Sequence, residues 1–276
     1  MLTLNSTIAM NNGVDIPTLG LGVFRAPEGD ETYNAVRSTL DIGYRHIDTA
    51  KAYGNEQNVG QAIRDSGLPR QDIFITTKLW NDDQGFDSTL RANAESLRKL
   101  GLEYIDLYLV HWPVPGLRLE TWRAMERLLA EGKCRAIGVS NYMVQHLEEI
   151  LGKAHVIPAV NQIELTPYNY LYRKGVVDLC QVNNIVLEAY SPLTKGLRLG
   201  DPRLVQLAAK YNKTPAQILI RWVVQQGMVA IPKSTRPERI AENAQIFDFE
   251  ISESDMGYLE TFNENLVTGW GPTNEL

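Results

Sequence analysis

The chain has 276 residues, 44% hydrophobic and 22% charged, an ordinary globular composition with enough apolar mass for a sizeable core. Its 27 Lys and Arg against 33 Asp and Glu leave a formal charge of −6, which argues against an extended nucleic-acid or anionic-membrane surface but allows a local basic pocket. The opening residues lack a basic n-region with a long apolar run, and no stretch approaches the roughly 20 apolar residues of a membrane-spanning helix, so a cytoplasmic protein is expected. Cys134 and Cys180 show no metal-like spacing and fit reduced, partly buried thiols.

In chain order, Asn11-Asn12-Gly13 between the apolar stretches 7–10 and 14–17 predicts a hairpin that caps one end of the fold. Short apolar runs rich in β-branched residues then recur at 18–24, 46–50, 73–79, 106–111, 136–141, 159–164, 186–192 and 229–234. Each is bounded by Gly, Pro or polar residues, the pattern of strands buried on both faces of a parallel sheet. After the first five come amphipathic helices at Asp30–Ile42, 55–66, Phe86–Leu100, 119–131 and 144–153. In the third, Leu90, Ala94, Leu97 and Leu100 share one face while Arg91, Glu95, Arg98 and Lys99 turn outward. Gly43, Gly67, Gly101, Gly132 and Gly152 fall at helix ends, where a C-cap tolerates left-handed geometry. Stretches 201–211, ahead of a helix at 215–226, and 252–263 exceed the repeat and are expected as extra helices outside it.

A βα unit of about 30 residues thus recurs eight times, which predicts an α/β protein, a (β/α)8 TIM barrel forming one domain over 1–276. A doubly wound sheet is the competing arrangement, but no Gly-x-Gly-x-x-Gly follows an early strand and no compositional break divides the chain. In such a barrel the active site lies at the C-terminal strand ends. Those ends carry Asp48, Lys78, His111, Ser140-Asn141, Tyr190-Ser191 and Lys233-Ser234, and the sixth strand contains Gln162. Each alone has an ordinary structural explanation: a helix N-cap, a solvated lysine, a hydrogen-bonded histidine. Their convergence on one rim does not.

These residues carry a resemblance. Gly43-Tyr44-Arg45-His46-Ile47-Asp48-Thr49-Ala50-Lys51-Ala52-Tyr53-Gly54-Asn55-Glu56 resembles the first characteristic block of the aldo-keto reductase family. Thr76-Thr77-Lys78-Leu79-Trp80, Asp106 to Pro113, Ile137 to Asn141, Val160 to Glu164, Ala189 to Leu193 and Ile231 to Ser234 match its later blocks in order. The resemblance covers essentially the whole chain and is nearest to short bacterial and protozoal members, of the 2,5-diketo-gluconate reductase and prostaglandin F synthase kinds. It implies a barrel that reduces carbonyl compounds with NADPH through a tetrad of Asp48, Tyr53, Lys78 and His111.

The chemistry agrees with those roles. A phenol titrates near about 10 when unperturbed, so Tyr53 is a protonated donor that the Lys78 ammonium can activate by stabilising its phenolate. Asp48 would hold Lys78 charged and in place, and His111 would orient the carbonyl oxygen. The resemblance further assigns Ser140, Asn141 and Gln162 to the nicotinamide carboxamide and the Tyr190 ring to stacking on the nicotinamide. Val23, Asp48, Ser191 and Leu193 are included among the cofactor contacts. Lys233, Ser234, Thr235, Arg236 and Arg239 gather at a helix start and suit the 2′-phosphate of NADPH, with Glu242 and Asn243 near the adenosine.

Phe24, Trp80, His111 and Trp112 are expected to line an apolar substrate pocket, which Trp270 in the tail could also reach. Three departures from larger family members bear on specificity. The stretch 114–119 is short, the tail after Asn265 is short, and Thr194 stands where many members carry Gly. A less enclosed pocket points to small carbonyls, such as glyoxals, sugar-derived ketones or aromatic aldehydes. Two other readings stay open: an NADPH-binding regulatory subunit, and a barrel hydrolase or isomerase built on Asp48 and His111. No metal site, nucleic-acid partner or membrane partner is expected, and a monomer is the default.

Overall fold

The computed structural model describes residues 2–269; Trp270 lies outside them. The Asn-Asn-Gly turn joins β1 (Thr7–Ala9) to β2 (Asp15–Pro17) in an antiparallel hairpin with Ile8 opposite Ile16, as its sequence predicts. Eight strands then pair in parallel in chain order: β3 (Leu21–Gly22), β4 (His46–Asp48), β5 (Phe74–Leu79), β6 (Ile105–Val110), β7 (Cys134–Ser140), β8 (Val160–Glu164), β9 (Val186–Tyr190) and β10 (Val229–Ile231). The first and last strands close the barrel. Gly20 N–H donates to Ala230 O at 2.9 Å, Ala230 N–H to Thr18 O at 2.9 Å and Gly22 N–H to Pro232 O at 3.1 Å. This is the expected (β/α)8 barrel.

Helices α1 (Asp30–Ile42), α2 (Glu56–Asp65), α3 (Phe86–Leu100), α4 (Arg118–Ala130), α5 (Val144–Leu151) and α6 (Lys174–Val182) follow β3 to β8 in turn. Helix α7 (Pro202–Lys210) precedes α8 (Pro215–Gln225), which leads into β10, while α9 (Pro237–Ala244) and α10 (Glu253–Glu260) follow it. Helices α1 and α3 have the predicted limits. Gly43, Gly67, Gly101 and Gly132 sit at φ of +115°, +71°, +65° and +71°, as expected of C-caps. Gly152 does not: at φ −73° it stays right-handed, and its N–H bonds Glu148 O, continuing the helical ladder.

Alternation along the strands divides the buried side chains between two compartments. Those facing the helices form the larger core, with Trp122, Trp222, Tyr44 and Phe262 among its biggest members. Those facing the barrel axis differ along its length. At the N-terminal end, Met10 and Ile16 of the hairpin region pack with Phe74, Leu107, Ala136 and Val229, so the hairpin plugs the base. Further up the same strands the inward residues turn polar. His46, Asp48, Thr76, Lys78, Gln162 and Glu188 are all buried. Among the described residues no helix is long and apolar enough to cross a membrane.

Candidate active site

The loops after β3 and β4 are riveted together by one buried side chain. Asn55 accepts from Thr49 Oγ1 at 2.7 Å and donates to Val23 O at 3.1 Å and Ala26 O at 3.2 Å. The turn Lys51–Tyr53 is thereby held against the rim, closed by the Tyr53 N–H bond to Ala50 O and by Gly54 at φ +74°. Phe24 then meets Tyr53 with ring centroids 5.0 Å apart.

Beneath Tyr53 the expected ion pair is present. Lys78 Nζ donates to Asp48 Oδ1 at 2.7 Å, to Thr49 O at 2.8 Å and to Tyr53 Oη at 3.3 Å, using all three of its N–H bonds. Burial alone would lower the Lys78 pKa, but Asp48, with lesser help from Tyr53 and Glu188, outweighs it and keeps the ammonium above its ordinary value. Burial raises the Asp48 carboxyl, opposed by Lys78 and by the Gln162 amide that donates to its Oδ2 at 2.8 Å. Burial also raises the Tyr53 phenol, with Lys78 pulling the other way, so Tyr53 holds its proton at neutral pH.

His111 stands beside this cluster, its ring edge-on to Tyr53 at 5.8 Å and to Trp80 at 5.2 Å. Burial, aided by Lys78, holds it well below the ordinary histidine pKa, so it is a neutral imidazole. Its Nδ1 is buried without a partner among the described residues, so no carboxylate orients it. Asp48 is occupied by Lys78 and Gln162. The pair therefore lacks the His–carboxylate bond that a hydrolytic dyad needs.

A cavity of about 660 Å³ opens above these groups. Phe24, Trp80 and Trp112 give one end an apolar wall around Tyr53 and His111. Ser140, Asn141, Gln162, Tyr190 and Ser191 line the middle, and Lys233 lies on the same cavity. Pairing register explains the middle group: Ser140 is opposite Gln162, and Gln162 opposite Glu188, on neighbouring parallel strands. Ser140 Oγ donates to Gln162 O at 3.0 Å, Asn141 Nδ2 to His111 O at 3.0 Å, and Tyr190 Oη to Asn141 Oδ1 at 2.8 Å. Asn141 adopts φ +64°, which Asn tolerates better than most residues.

The remaining expected residues do not line this cavity. Val23 is buried under the rim, its N–H bonded to Asp48 O at 3.0 Å. Arg236 and Arg239 are exposed at the start of α9, where Ser234 Oγ accepts from Arg236 N–H at 3.1 Å, with Thr235 half-buried between them. Asn243 is buried on the same helix. The Glu242 carboxylate accepts from Thr214 Oγ1 at 2.6 Å, which ties it to the start of α8. Leu193 is half-buried in the loop after β9. Next to it Thr194 is fully buried at φ +51°, a left-handed conformation costly for a β-branched residue.

Some cavity residues were not expected. Arg25 stands over the Phe24 ring, and Lys195 Nζ donates to Thr268 O at 2.6 Å across the mouth. Thr268 and Gly269 are anchored by buried Glu164, which accepts from both backbone N–H groups at 2.9 and 3.2 Å. Glu188 and His46 form a further polar layer below Asp48. A carboxylate amid the apolar run of β9 was the visible signal for Glu188.

The chain matches the "Aldo/keto reductase family" model over residues 18–264. It is 47% identical to the glyoxal reductase of Bacillus subtilis over 270 residues, covering 98% of this chain and 97% of that one. It is also 47% identical to the 9,11-endoperoxide prostaglandin H2 reductase of Trypanosoma cruzi, over 97% and 95% of the two chains. Among solved structures, a Gox0644 mutant in complex with NADPH superposes with a TM-score of 0.92 at 42% identity, over 98% of each chain. By its sequence and its barrel alike, this chain is an oxidoreductase that belongs to the aldo/keto reductase family.

Proposed function

We propose that the protein reduces small aldehydes and ketones to alcohols with NADPH, Tyr53 supplying the proton. The observation that carries this reading is the Asp48–Lys78–Tyr53 cluster at the floor of a cavity that also reaches Lys233. When bound, NADPH supplies a hydride for the carbonyl carbon. Tyr53 donates its hydroxyl proton to the carbonyl oxygen, and the Lys78 ammonium 3.3 Å away stabilises the phenolate left behind. Asp48 keeps that ammonium charged and aimed. Neutral His111, on the cavity wall beside Tyr53, orients the carbonyl oxygen through a hydrogen bond.

The residues present fit the cofactor. Ser140, Asn141 and Gln162 offer amide and hydroxyl groups for a carboxamide, and the Tyr190 ring offers a flat face. Exposed Lys233, Arg236 and Arg239, with Ser234 and Thr235 between them, suit a phosphate dianion. Glu242, held by Thr214, and Asn243 border that segment. Glyoxals lead the candidate substrates because a glyoxal reductase is among the relatives; sugar-derived ketones and aromatic aldehydes fit the same apolar wall. All four tetrad residues come from one chain, so the reading needs no partner subunit.

The test follows the absorbance of the reduced nicotinamide with methylglyoxal and with 4-nitrobenzaldehyde, NADH run in parallel. Turnover faster with NADPH, lost by roughly 1000-fold in Tyr53→Phe while NADPH binding stays intact, supports the reading. Near-wild-type turnover in Tyr53→Phe would remove Tyr53 as the acid.

A further inference from the structure

Glu188 is fully buried in the middle of β9, with Leu187 and Ala189 on either side belonging to the core beneath the helices. Its side chain therefore faces the barrel axis, where Oε2 accepts from Gln162 Nε2 at 2.7 Å. The same nitrogen donates to Asp48 Oδ2 at 2.8 Å, from across the barrel. A primary amide has two N–H bonds, and both are now committed to carboxyl groups. A half-turn of the amide would set Gln162 Oε1 against the Asp48 carboxylate with no proton between them. Oε1 itself has no donor among the described residues, and Gln162 lines the cavity.

We infer that Glu188 is a positioning residue: with Asp48 it locks the Gln162 amide so that Oε1 is presented as an acceptor for the carboxamide N–H of the nicotinamide. The inference rests on the NADPH reading above and deepens it by naming what orients the carboxamide contact.

The surrounding charges are consistent with this role. Burial, reinforced by Asp48, pushes the Glu188 carboxyl up to about 8, so it is largely protonated at neutral pH. Its Oε1 lies 3.5 Å from His46 Nε2, and burial together with Lys78 lowers that histidine to about 3. Glu188 and His46 thus meet as neutral groups. Lys78, the ammonium facing this layer from β5, is balanced by Asp48 from β4, and Glu188 can accept from Gln162 without adding a second buried negative charge.

The experiment compares the affinities of the full chain for NADP+ and for its 3-acetylpyridine analogue, in which a methyl ketone replaces the carboxamide and no N–H remains. Quenching of tryptophan fluorescence reads binding without turnover. Wild type is expected to prefer NADP+ about tenfold, the value of one hydrogen bond. Glu188→Leu should shrink that preference to within about twofold by weakening NADP+ alone. Glu188→Gln keeps an acceptor for Gln162 and should retain it. Glu188→Thr replaces the leucine variant if that one fails to fold. A merely structural role would weaken both ligands equally. The inference is overturned if the leucine or threonine variant keeps the preference, if the glutamine variant erases it, or if wild type shows none. Binding of neither nucleotide by wild type would instead overturn the NADPH reading.

Discussion

At the hairpin end of the barrel, β5 contributes Phe74 to a dry cluster of Met10, Ile16 and Leu107; four residues further along, the same strand contributes Lys78 to a network of Asp48, Tyr53, Gln162 and Glu188. Both layers are buried, and they differ in what they tolerate. Apolar packing is non-directional and forgives changes that conserve volume. The polar layer holds only while each member keeps its partner, because a single deletion strands a charge or an N–H in low dielectric. One end of the interior is thus a stability element, and the other stores oriented charge.

The largest effect expected from breaking this contrast is at Lys78. Lys78→Met strands Asp48 and should cost about 3–5 kcal/mol in urea unfolding, together with a roughly 1000-fold loss of turnover. Unchanged stability would mean that the upper layer is not held by this pair. In the lower layer, Leu107→Ala should cost about 2–5 kcal/mol while turnover of the folded enzyme stays within about twofold, measured on protein well below its melting temperature.

A pH scan of melting temperature sharpens the contrast, since only the upper layer titrates. His46 and His111 have folded pKa values below their unfolded ones, so the unfolded chain takes up their protons first and stability falls as pH drops below about 6.5. Glu188 works the other way: its pKa is raised, its contribution is complete below about 4.5, and it is lost as pH rises through about 8. The two histidines outweigh Glu188 below about pH 6.5 and Glu188 acts alone above it, so the layer's contribution should peak near about pH 6.5 and fall on both sides. Glu188→Gln should flatten the fall above about pH 6.5 and steepen the fall below it. The smallest effect is at the rim, where Arg236→Ala should weaken NADPH binding about tenfold and leave NADH within about twofold. Equal weakening of both would move the phosphate site away from α9.

Most of the barrel could be read in the sequence because its strands are short runs buried on both faces and its helices carry clean stripes; α1 and α3 match to the residue. Strand ends were less legible. The run 18–24 reduces to Leu21–Gly22 because the closing contacts are isolated bridges, and 229–234 stops at Ile231 because Pro232 has no N–H to give. Of the site, the strand-end polar residues were legible through their convergence on one rim, not one by one. What spacing could not reveal was depth: which of them meet in one cavity, that Glu242 is tied to Thr214, and that Lys195 reaches Thr268. Those contacts join residues far apart in the chain through loops whose paths no local pattern dictates.

The plug at the base also bears on the order of events during synthesis. Met10 and Ile16 emerge from the ribosome before any barrel strand, yet their packing partners run from Phe74 to Val229 and Ile231. The first seam of the barrel, Gly20 to Ala230, waits on that same late segment. A nascent chain halted before β10 carries a hairpin with no cavity to fill and an open sheet edge at β9, so truncations there should bind chaperones or aggregate, whereas release of β10 completes both seals in one cooperative step.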